Sequence, residues 1–254
     1  TANASSRSNA AEKPNIVIIL TDDQGYGDMK CYGNSRLQTP NLDQLAAEGI
    51  RFTNFYAGAA ASTPSRAALL TGRYAERAGL QGVVDDLSVN GLESDEFTLA
   101  DYLKQNNYAT GIFGKWHLGC LPEHLPLRHG FNEFFGLPYS NDMWPFHPQP
   151  GHPYRALPLY DNERVVEYNP TVNHMTTRIT ERATAFIDKH KNEPFLLYVP
   201  YTQPHVPLGV SDKFKGKSGE GLYADVIMEI DWSVGEIMKT LKENGLDDHT
   251  LVLF

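Results

Sequence analysis

The sequence is poor in cysteine, since its 254 residues include only Cys31 and Cys120. Two cysteines cannot form the disulfide framework of a small secreted domain, and they cannot supply a tetrahedral zinc site built from thiolates. Cysteine usage therefore says little about the redox compartment. A hydrophobic core must hold the fold together, and a chain of this length can bury one.

Positive charge and long apolar runs are also scarce. The chain has 22 lysine and arginine residues against 31 aspartate and glutamate residues, a formal net charge of -9. This balance argues against nucleic acid as a partner, because such proteins present broad basic surfaces, although a local basic cluster can still bind an anion. No apolar run approaches the roughly 20 residues of a membrane-spanning helix, so no membrane span is expected.

The first 13 residues, TANASSRSNAAEK, lack the apolar stretch of a signal peptide. Small polar side chains of this kind predict a flexible N-terminal tail. Such a tail is what remains after a signal peptide is removed, or an addition made for expression.

Short β-branched and aromatic runs alternate with amphipathic helical patterns along the rest of the chain. The run Asn15–Leu20 predicts a strand buried on both faces of a parallel sheet. Similar runs occupy 109–113, 195–199 and 250–254, and helical patterns occupy 39–49, 98–107, 175–190 and 221–245. This alternation predicts an α/β domain with a mainly parallel central sheet flanked by helices.

Two segments depart from this regularity. Residues 120–170 are rich in proline, aromatic residues and histidine without sustained periodicity, which predicts a long functional loop. The last predicted strand coincides with the end of the chain at Phe254. Because a buried core strand with nothing after it is unusual, we expect that the protein continues beyond Phe254.

Polar side chains directly follow three of the predicted strands. Asp22 and Asp23 follow the first, Lys115 and His117 the second, and His205 the third. Open parallel sheets bind ligands beyond the carboxyl ends of their strands. The spacing of Lys115 and His117 places both on one side if the segment stays extended. Turn, surface and loop roles explain each residue alone, but their joint occurrence favours a site.

A predicted helix start adds to this set. Ser62-Thr63-Pro64 opens the stretch STPSRAALLTGR, and the amides and dipole of a helix N-terminus favour an anion. Arg66, one turn later, can face the same anion, while a helix cap is the commoner explanation of Ser62 taken alone. Paired carboxylates suit Ca²⁺ or Mg²⁺. Together these groups predict hydrolysis or transfer of a phosphate or sulfate ester.

Over most of residues 14–254 the chain resembles the N-terminal half to two-thirds of the formylglycine-dependent (type I) sulfatases, which have the alkaline phosphatase-like fold. STPSRAALLTGR is similar to the family signature, and PNIVIILTDDQGYGD, GKWHLG and QPHVPL resemble other family blocks in the same order. Four linked motifs are far more specific than one. The resemblance is closest to bacterial polysaccharide sulfatases of the arylsulfatase A and N-acetylgalactosamine-6-sulfatase type.

The resemblance implies that a maturation enzyme oxidises residue 62 to formylglycine (3-oxoalanine). A hydrate oxygen of this aldehyde attacks sulfur, and the second hydroxyl later ejects sulfate, a route that unmodified serine lacks. The family pattern also implies that Asp22, Asp23 and residue 62 bind Ca²⁺ or Mg²⁺. Arg66 would hold the hydrate.

Further roles follow from the same resemblance. Lys115 and His205 would bind sulfate, with His205 also protonating the leaving alcohol, and His117 would act as the base. Asn141 and Asp142, in GLPYSNDM, would bind sugar hydroxyls. The nearby aromatic residues are candidates either for stacking on a sugar ring or for packing within the loop, namely Tyr139, Trp144 and Phe146. Arg73 is implied to have a structural role.

The chain departs from the family pattern in two ways. It ends at Phe254, before the Asp-Asn pair, the later lysine and the C-terminal subdomain of the family. We therefore interpret residues 14–254 as the N-terminal part of a catalytic domain, expected to bind metal weakly and to lack full activity. Most members also carry cysteine at position 62, so Ser62 is either a native precursor or a replacement.

The expected function is hydrolysis of sulfate esters on a sulfated oligosaccharide or polysaccharide, by a periplasmic or secreted enzyme. A phosphodiesterase or phosphonate hydrolase of the same fold is an alternative, as is an inactive binding protein with unmodified Ser62. The sequence leaves open the sugar, the sulfate position and the oligomeric state.

Overall fold

A seven-stranded sheet with the strand order β5-β4-β3-β2-β6-β1-β7 forms the centre of the protein. The computed structural model describes residues 13–149, 151 and 153–254, so the predicted tail, apart from Lys13, lies outside the described residues. The strands are β1 (Asn15–Leu20), β2 (Ala109–Lys115), β3 (Glu133–Leu137), β4 (Pro158–Asp161), β5 (Arg164–Tyr168), β6 (Phe195–Pro200) and β7 (Thr250–Leu253). All adjacent pairs are parallel except those that involve β4 and β5, so the predicted α/β architecture is confirmed.

Helices cover both faces of this sheet. They are α1 (Pro40–Glu48), α2 (Ser62–Thr71), α3 (Leu99–Gln105), α4 (Met175–His190) and α5 (Leu222–Glu243). Four of them lie within the predicted helical stretches, and α2 begins at the helix start predicted at Ser62. Their ends follow local chemistry. Thr98 caps α3, since its hydroxyl accepts the Asp101 amide and the Asp101 carboxylate accepts the Thr98 amide.

The core consists of two clusters, one on each face of the sheet. One contains residues of α4 and α5 such as Phe186 and Ile230, and the other contains Leu70 of α2 and Leu103 of α3. All six residues of β6, near the middle of the sheet, are buried. Burial on both faces explains the continuous apolar runs in the sequence. No helix among the described residues has the length and apolar character needed to cross a membrane.

One expectation about irregular segments was wrong. Residues 120–170 contain β3 and the antiparallel hairpin of β4 and β5, rather than a single long loop. These strands have only four or five residues each, too few for a clear period. The predicted strand at the end of the chain forms as β7, which lies at the edge of the sheet that the described residues build, where Leu251 and Leu253 are 50% and 41% exposed.

Acid is expected to destabilise the fold through His129. This residue is fully buried beside Trp116, and neither ring nitrogen makes a well-formed hydrogen bond. Burial lowers the pKa of His129 from 6.5 to about 4. Because the unfolded chain then binds more protons between these values, stability falls as the pH falls from about 6.5 to 4, by about 3 kcal/mol in total.

Urea denaturation at pH 7 and pH 4.5 tests this expectation. The free energy of unfolding of His129→Phe, which keeps a ring but cannot bind a proton, should change less between the two pH values than that of the wild type. Equal changes would show that His129 is not responsible.

Candidate active site

The carboxyl ends of β1, β2, β3 and β6 lie at one edge of the sheet, where α2 begins. The structure brings four of the predicted site residues together there. Ser62 Oγ lies 3.3 Å from Asp22 Oδ1 and 3.1 Å from Lys115 Nζ. Lys115 Nζ donates to Asp22 Oδ2 at 2.5 Å, and Arg66 Nη2 lies 3.3 Å from Asp22 Oδ1. A serine hydroxyl thus lies beside one carboxylate and two cations.

Ser62 is not the cap of α2. Ala61 occupies the cap position and makes no side-chain cap hydrogen bond, while Ser62 is the first helical residue. The polar contacts of Ser62 Oγ are instead with Asp22 and Lys115. The hydroxyl is therefore directed into the charged cluster, at the helix end that favours negative charge.

The charges in this cluster are buried. Asp22, Arg66 and Lys115 are 4%, 2% and 0% exposed. Burial raises the pKa of Asp22, but the charges of Lys115 and Arg66 outweigh it and lower the pKa to about 2. Burial lowers the pKa of Lys115 to about 8, with Asp22 opposing this shift and Arg66 adding to it. One carboxylate between two cations leaves net positive charge, which attracts an anion.

His117 lies next to this cluster but is held differently from the expectation. Its φ of +59° is left-handed, so the segment after β2 does not stay extended and strand alternation does not orient His117. Its Nε2 lies 2.8 Å from the Val84 carbonyl, which can only accept, so we assign the proton to Nε2. Nδ1 is buried without a partner, and burial holds the pKa of His117 well below 6.5. The ring is thus a neutral base.

Asp23 and His205 lie at the rim of the site. The Asp23 side chain is 71% exposed, and its Oδ2 lies 3.6 Å from His205 Nε2. The Asp22 amide donates to the Gln203 carbonyl at 3.1 Å, which fixes the chain after β1 against the chain after β6. This contact between the two segments brings His205 beside the carboxylate of Asp23 at the rim.

The donors at this edge suit part of a divalent cation shell. Asp22, Asp23 and Ser62 present carboxylate and hydroxyl oxygens, which Ca²⁺ and Mg²⁺ prefer. Across 13–149, 151 and 153–254, no group of three or more His, Cys, Asp or Glu side chains is placed to hold a metal ion. The residues fit a hard cation in chemistry, and they supply only some of the six to eight ligands that Ca²⁺ takes.

The chain after β3 forms another wall. Lys115 Nζ contacts Ser140 Oγ at 3.2 Å, which connects this wall to the cluster. Asn141 is fully buried, with Nδ2 3.4 Å from the Pro207 carbonyl. Asp142 Oδ1 is buried without a partner. Both side chains thus keep unused hydrogen-bonding capacity beside the cluster.

The aromatic residues of this wall differ in accessibility. Tyr139 is 3% exposed and belongs to the hydrophobic core, so it cannot stack on a ligand ring. Trp144 is half-buried and meets Phe146 edge-to-face at 5.0 Å, while Phe146 is 68% exposed. Arg73 is a different case, because it pairs with Glu96 at 2.6 Å, a structural contact.

Buried polar side-chain atoms without hydrogen-bond partners concentrate at this edge. Five such residues follow strand ends: Gln24, His117, Asn141, Asp142 and Thr202. Buried polar groups are normally paired, so an orphaned set indicates a place where a ligand or ion binds. Sequence reasoning missed Gln24 and Thr202, and only their positions just after β1 and β6 could have indicated them.

Three comparisons relate this chain to known proteins. A sulfatase family model matches residues 14–254. Arylsulfatase A of Bos taurus is 43% identical over 262 residues, which cover 96% of this chain and 52% of that protein. N-acetylgalactosamine-6-O-sulfatase of Bacteroides thetaiotaomicron is 35% identical over 298 residues, covering 96% and 58%. The crystal structure of Ps i-CgsB in complex with k-i-k-neocarrahexaose matches with a TM-score of 0.83 at 34% identity, covering 95% of this chain and 57% of that one. The chain spans about half the length of the curated relatives that it matches.

Proposed function

The chain belongs to the sulfatase family, and from this premise we propose that it carries the nucleophile and the sulfate-binding groups of a sulfate ester hydrolase. One observation carries the proposal. Ser62 Oγ, at the start of α2, lies 3.1 Å from the ammonium of Lys115 and 3.3 Å from the carboxylate of Asp22. A nucleophile precursor thus lies inside a buried cluster with excess positive charge, where a sulfate group would be held.

Residue 62 acts, in this proposal, as formylglycine made by a maturation enzyme. The hydrate of the aldehyde supplies a nucleophilic oxygen. After the sulfo group has been transferred to that oxygen, the second hydroxyl of the hydrate supplies a route for releasing sulfate. Arg66 would hold the oxygen of residue 62, because its buried guanidinium is anchored near the start of α2 through Nη1, which donates to the Lys115 carbonyl at 2.8 Å, while Nη2 lies 3.3 Å from Asp22 Oδ1 and can turn toward a bound anion. Lys115 neutralises an oxygen of the sulfate group.

Asp22, Asp23 and residue 62 would hold Ca²⁺ or Mg²⁺, which supplies Lewis-acid polarisation when bound. His117 serves as the base, since its Nδ1 is unprotonated, buried and without a partner. His205, at the rim, binds sulfate and donates a proton to the leaving alcohol. That position suits an acid, because the alcohol must depart toward solvent.

The substrate that we propose is a sulfated oligosaccharide or polysaccharide. Asn141 and Asp142 would bind sugar hydroxyls through their unused oxygens, and the exposed ring of Phe146 would stack on a sugar. Two of the similar proteins support this class, since one is named for a sulfated amino sugar and another binds an oligosaccharide. We place the enzyme in the periplasm or outside the cell, where it would encounter polysaccharide substrates.

The hydrolysis rates of an aryl sulfate ester and of an aryl phosphate diester test the proposed function. The full-length, matured enzyme is expected to prefer the sulfate ester by about 100-fold or more in kcat/KM. A strong preference for the phosphodiester would overturn the sulfatase proposal and favour a phosphodiesterase or phosphonate hydrolase. Absence of both activities in a protein whose Ser62 stays unmodified despite co-production with a maturation enzyme would favour an inactive binding protein.

A further inference from the structure

Tyr198 of β6 places a hydroxyl group close to the charged cluster but outside the roles described above. Tyr198 stands in register with Ile18 of β1 and Ile112 of β2, in the middle of the sheet. Its side chain belongs to the hydrophobic cluster that also contains Ala67 and Leu70 of α2. It therefore lies on the face of the sheet that α2 covers, and α2 carries Arg66.

The Tyr198 hydroxyl is buried and has no hydrogen-bond partner of good geometry. Leaving such a group unpaired costs about 1–3 kcal/mol. Burial raises the pKa of Tyr198 to about 12, the charge of Arg66 and a weak hydrogen bond from it oppose this rise, and Asp22 adds to it. The hydroxyl therefore lies near Arg66 and Asp22, and its contact with Arg66 falls short of a well-formed hydrogen bond.

Arg66 has hydrogen-bonding capacity to spare. A guanidinium has five N–H donors in one plane. Nη1 donates to the Lys115 carbonyl at 2.8 Å, whereas Nη2 lies 3.3 Å from Asp22 Oδ1, longer than the usual 2.7–2.9 Å of a charge-assisted bond. A small rotation of the guanidinium would therefore break the contact with Asp22 before the hydrogen bond to the Lys115 carbonyl.

We propose that Tyr198 is a positioning residue for Arg66, whose guanidinium donates to the Tyr198 hydroxyl oxygen when an anion binds at the start of α2. The anion draws the guanidinium from Asp22, and the tyrosine oxygen fixes the new orientation. The inference rests on the proposed function, because it needs an anion at that place. It also explains why an otherwise costly hydroxyl is kept there.

Titration calorimetry with inorganic sulfate on the full-length protein tests this inference, together with denaturation. Tyr198→Phe removes only the hydroxyl and should weaken sulfate binding about fivefold to tenfold, the effect of one hydrogen bond. Its free energy of unfolding should stay the same or rise, because the lost hydroxyl had no partner. Tyr201→Phe is the matched control, since the Tyr201 hydroxyl bonds with Ser233. That variant should lose stability and bind sulfate normally.

The remaining outcomes contradict either the positioning role of Tyr198 or the proposed function. Normal sulfate binding by Tyr198→Phe would overturn the positioning role, and so would weaker binding with a matching loss of stability, which would indicate packing. If the wild type binds no sulfate, the proposed function falls, and the inference falls with it.

Discussion

Replacing Asp22 with asparagine is expected to lower the free energy of unfolding by about 3–5 kcal/mol, the effect of breaking a buried ion pair by removing one partner. Lys115 and Arg66 would remain buried, at 0% and 2% exposure, without an anion. Lys115, with its pKa near 8, can release its proton and so limit the loss. Arg66 cannot. Chemical denaturation with a chelator present measures the effect without any contribution from bound metal.

The matched control is Asp23→Asn, the same change one residue along the chain. The Asp23 side chain is 71% exposed, so its substitution should alter stability by no more than about 0.5 kcal/mol. The two aspartates are adjacent in the sequence motif, but Asp22 is buried and paired with Lys115 and Arg66, whereas Asp23 is exposed and lies 3.6 Å from His205. Similar effects of the two substitutions would contradict the charge cluster described for Asp22.

Replacing Ser62 with alanine is expected to lower kcat/KM for an aryl sulfate by on the order of 10³-fold or more, because the nucleophile is lost. The fold should be little affected. Ser62 Oγ donates to Asp22 over a long 3.3 Å and accepts from Lys115 at 3.1 Å, and Lys115 keeps its 2.5 Å bond to Asp22 in the variant, so removal of the hydroxyl should cost no more than about 1 kcal/mol. Steady-state kinetics and denaturation of the full-length protein check the two parts.

Ser62→Cys serves as the control for the alanine variant. Produced with a maturation enzyme that acts on cysteine, it should regain activity, because both precursors lead to the same aldehyde. An alanine variant with normal kcat/KM would contradict the assigned nucleophile. An inactive Ser62→Cys variant that carries the aldehyde would contradict the mechanism.

The buried parts of the fold could be predicted from the sequence, because burial leaves a strong signal. The apolar runs of β1, β2 and β6 predicted parallel strands, and the structure places all three in the centre of the sheet. β3, β4 and β5 could not be predicted in the same way. β3 carries only a four-residue apolar run, FFGL, within a stretch rich in proline and aromatic residues, and β4 and the largely exposed β5 show neither an apolar run nor a clear alternation.

For the site, the sequence predicted where the groups lie better than how they act. Strand ends and a helix start placed Asp22, Ser62 and Lys115 at one edge, and the structure brings them within 3.3 Å of one another. The orientation of His117 could not be predicted, because its left-handed backbone breaks the alternation on which the expectation depended. The unpaired hydroxyl of Tyr198 is visible only in three dimensions, since its neighbour Arg66 comes from a distant helix.

Ser62 as the precursor of an aldehyde nucleophile is tested by the mass of the peptide that carries residue 62, taken from catalytically active protein. This peptide should be lighter than the serine form by two hydrogens and should react with a hydrazine that labels aldehydes. Intact serine throughout a preparation with full sulfatase activity would show that residue 62 is not converted to the nucleophile.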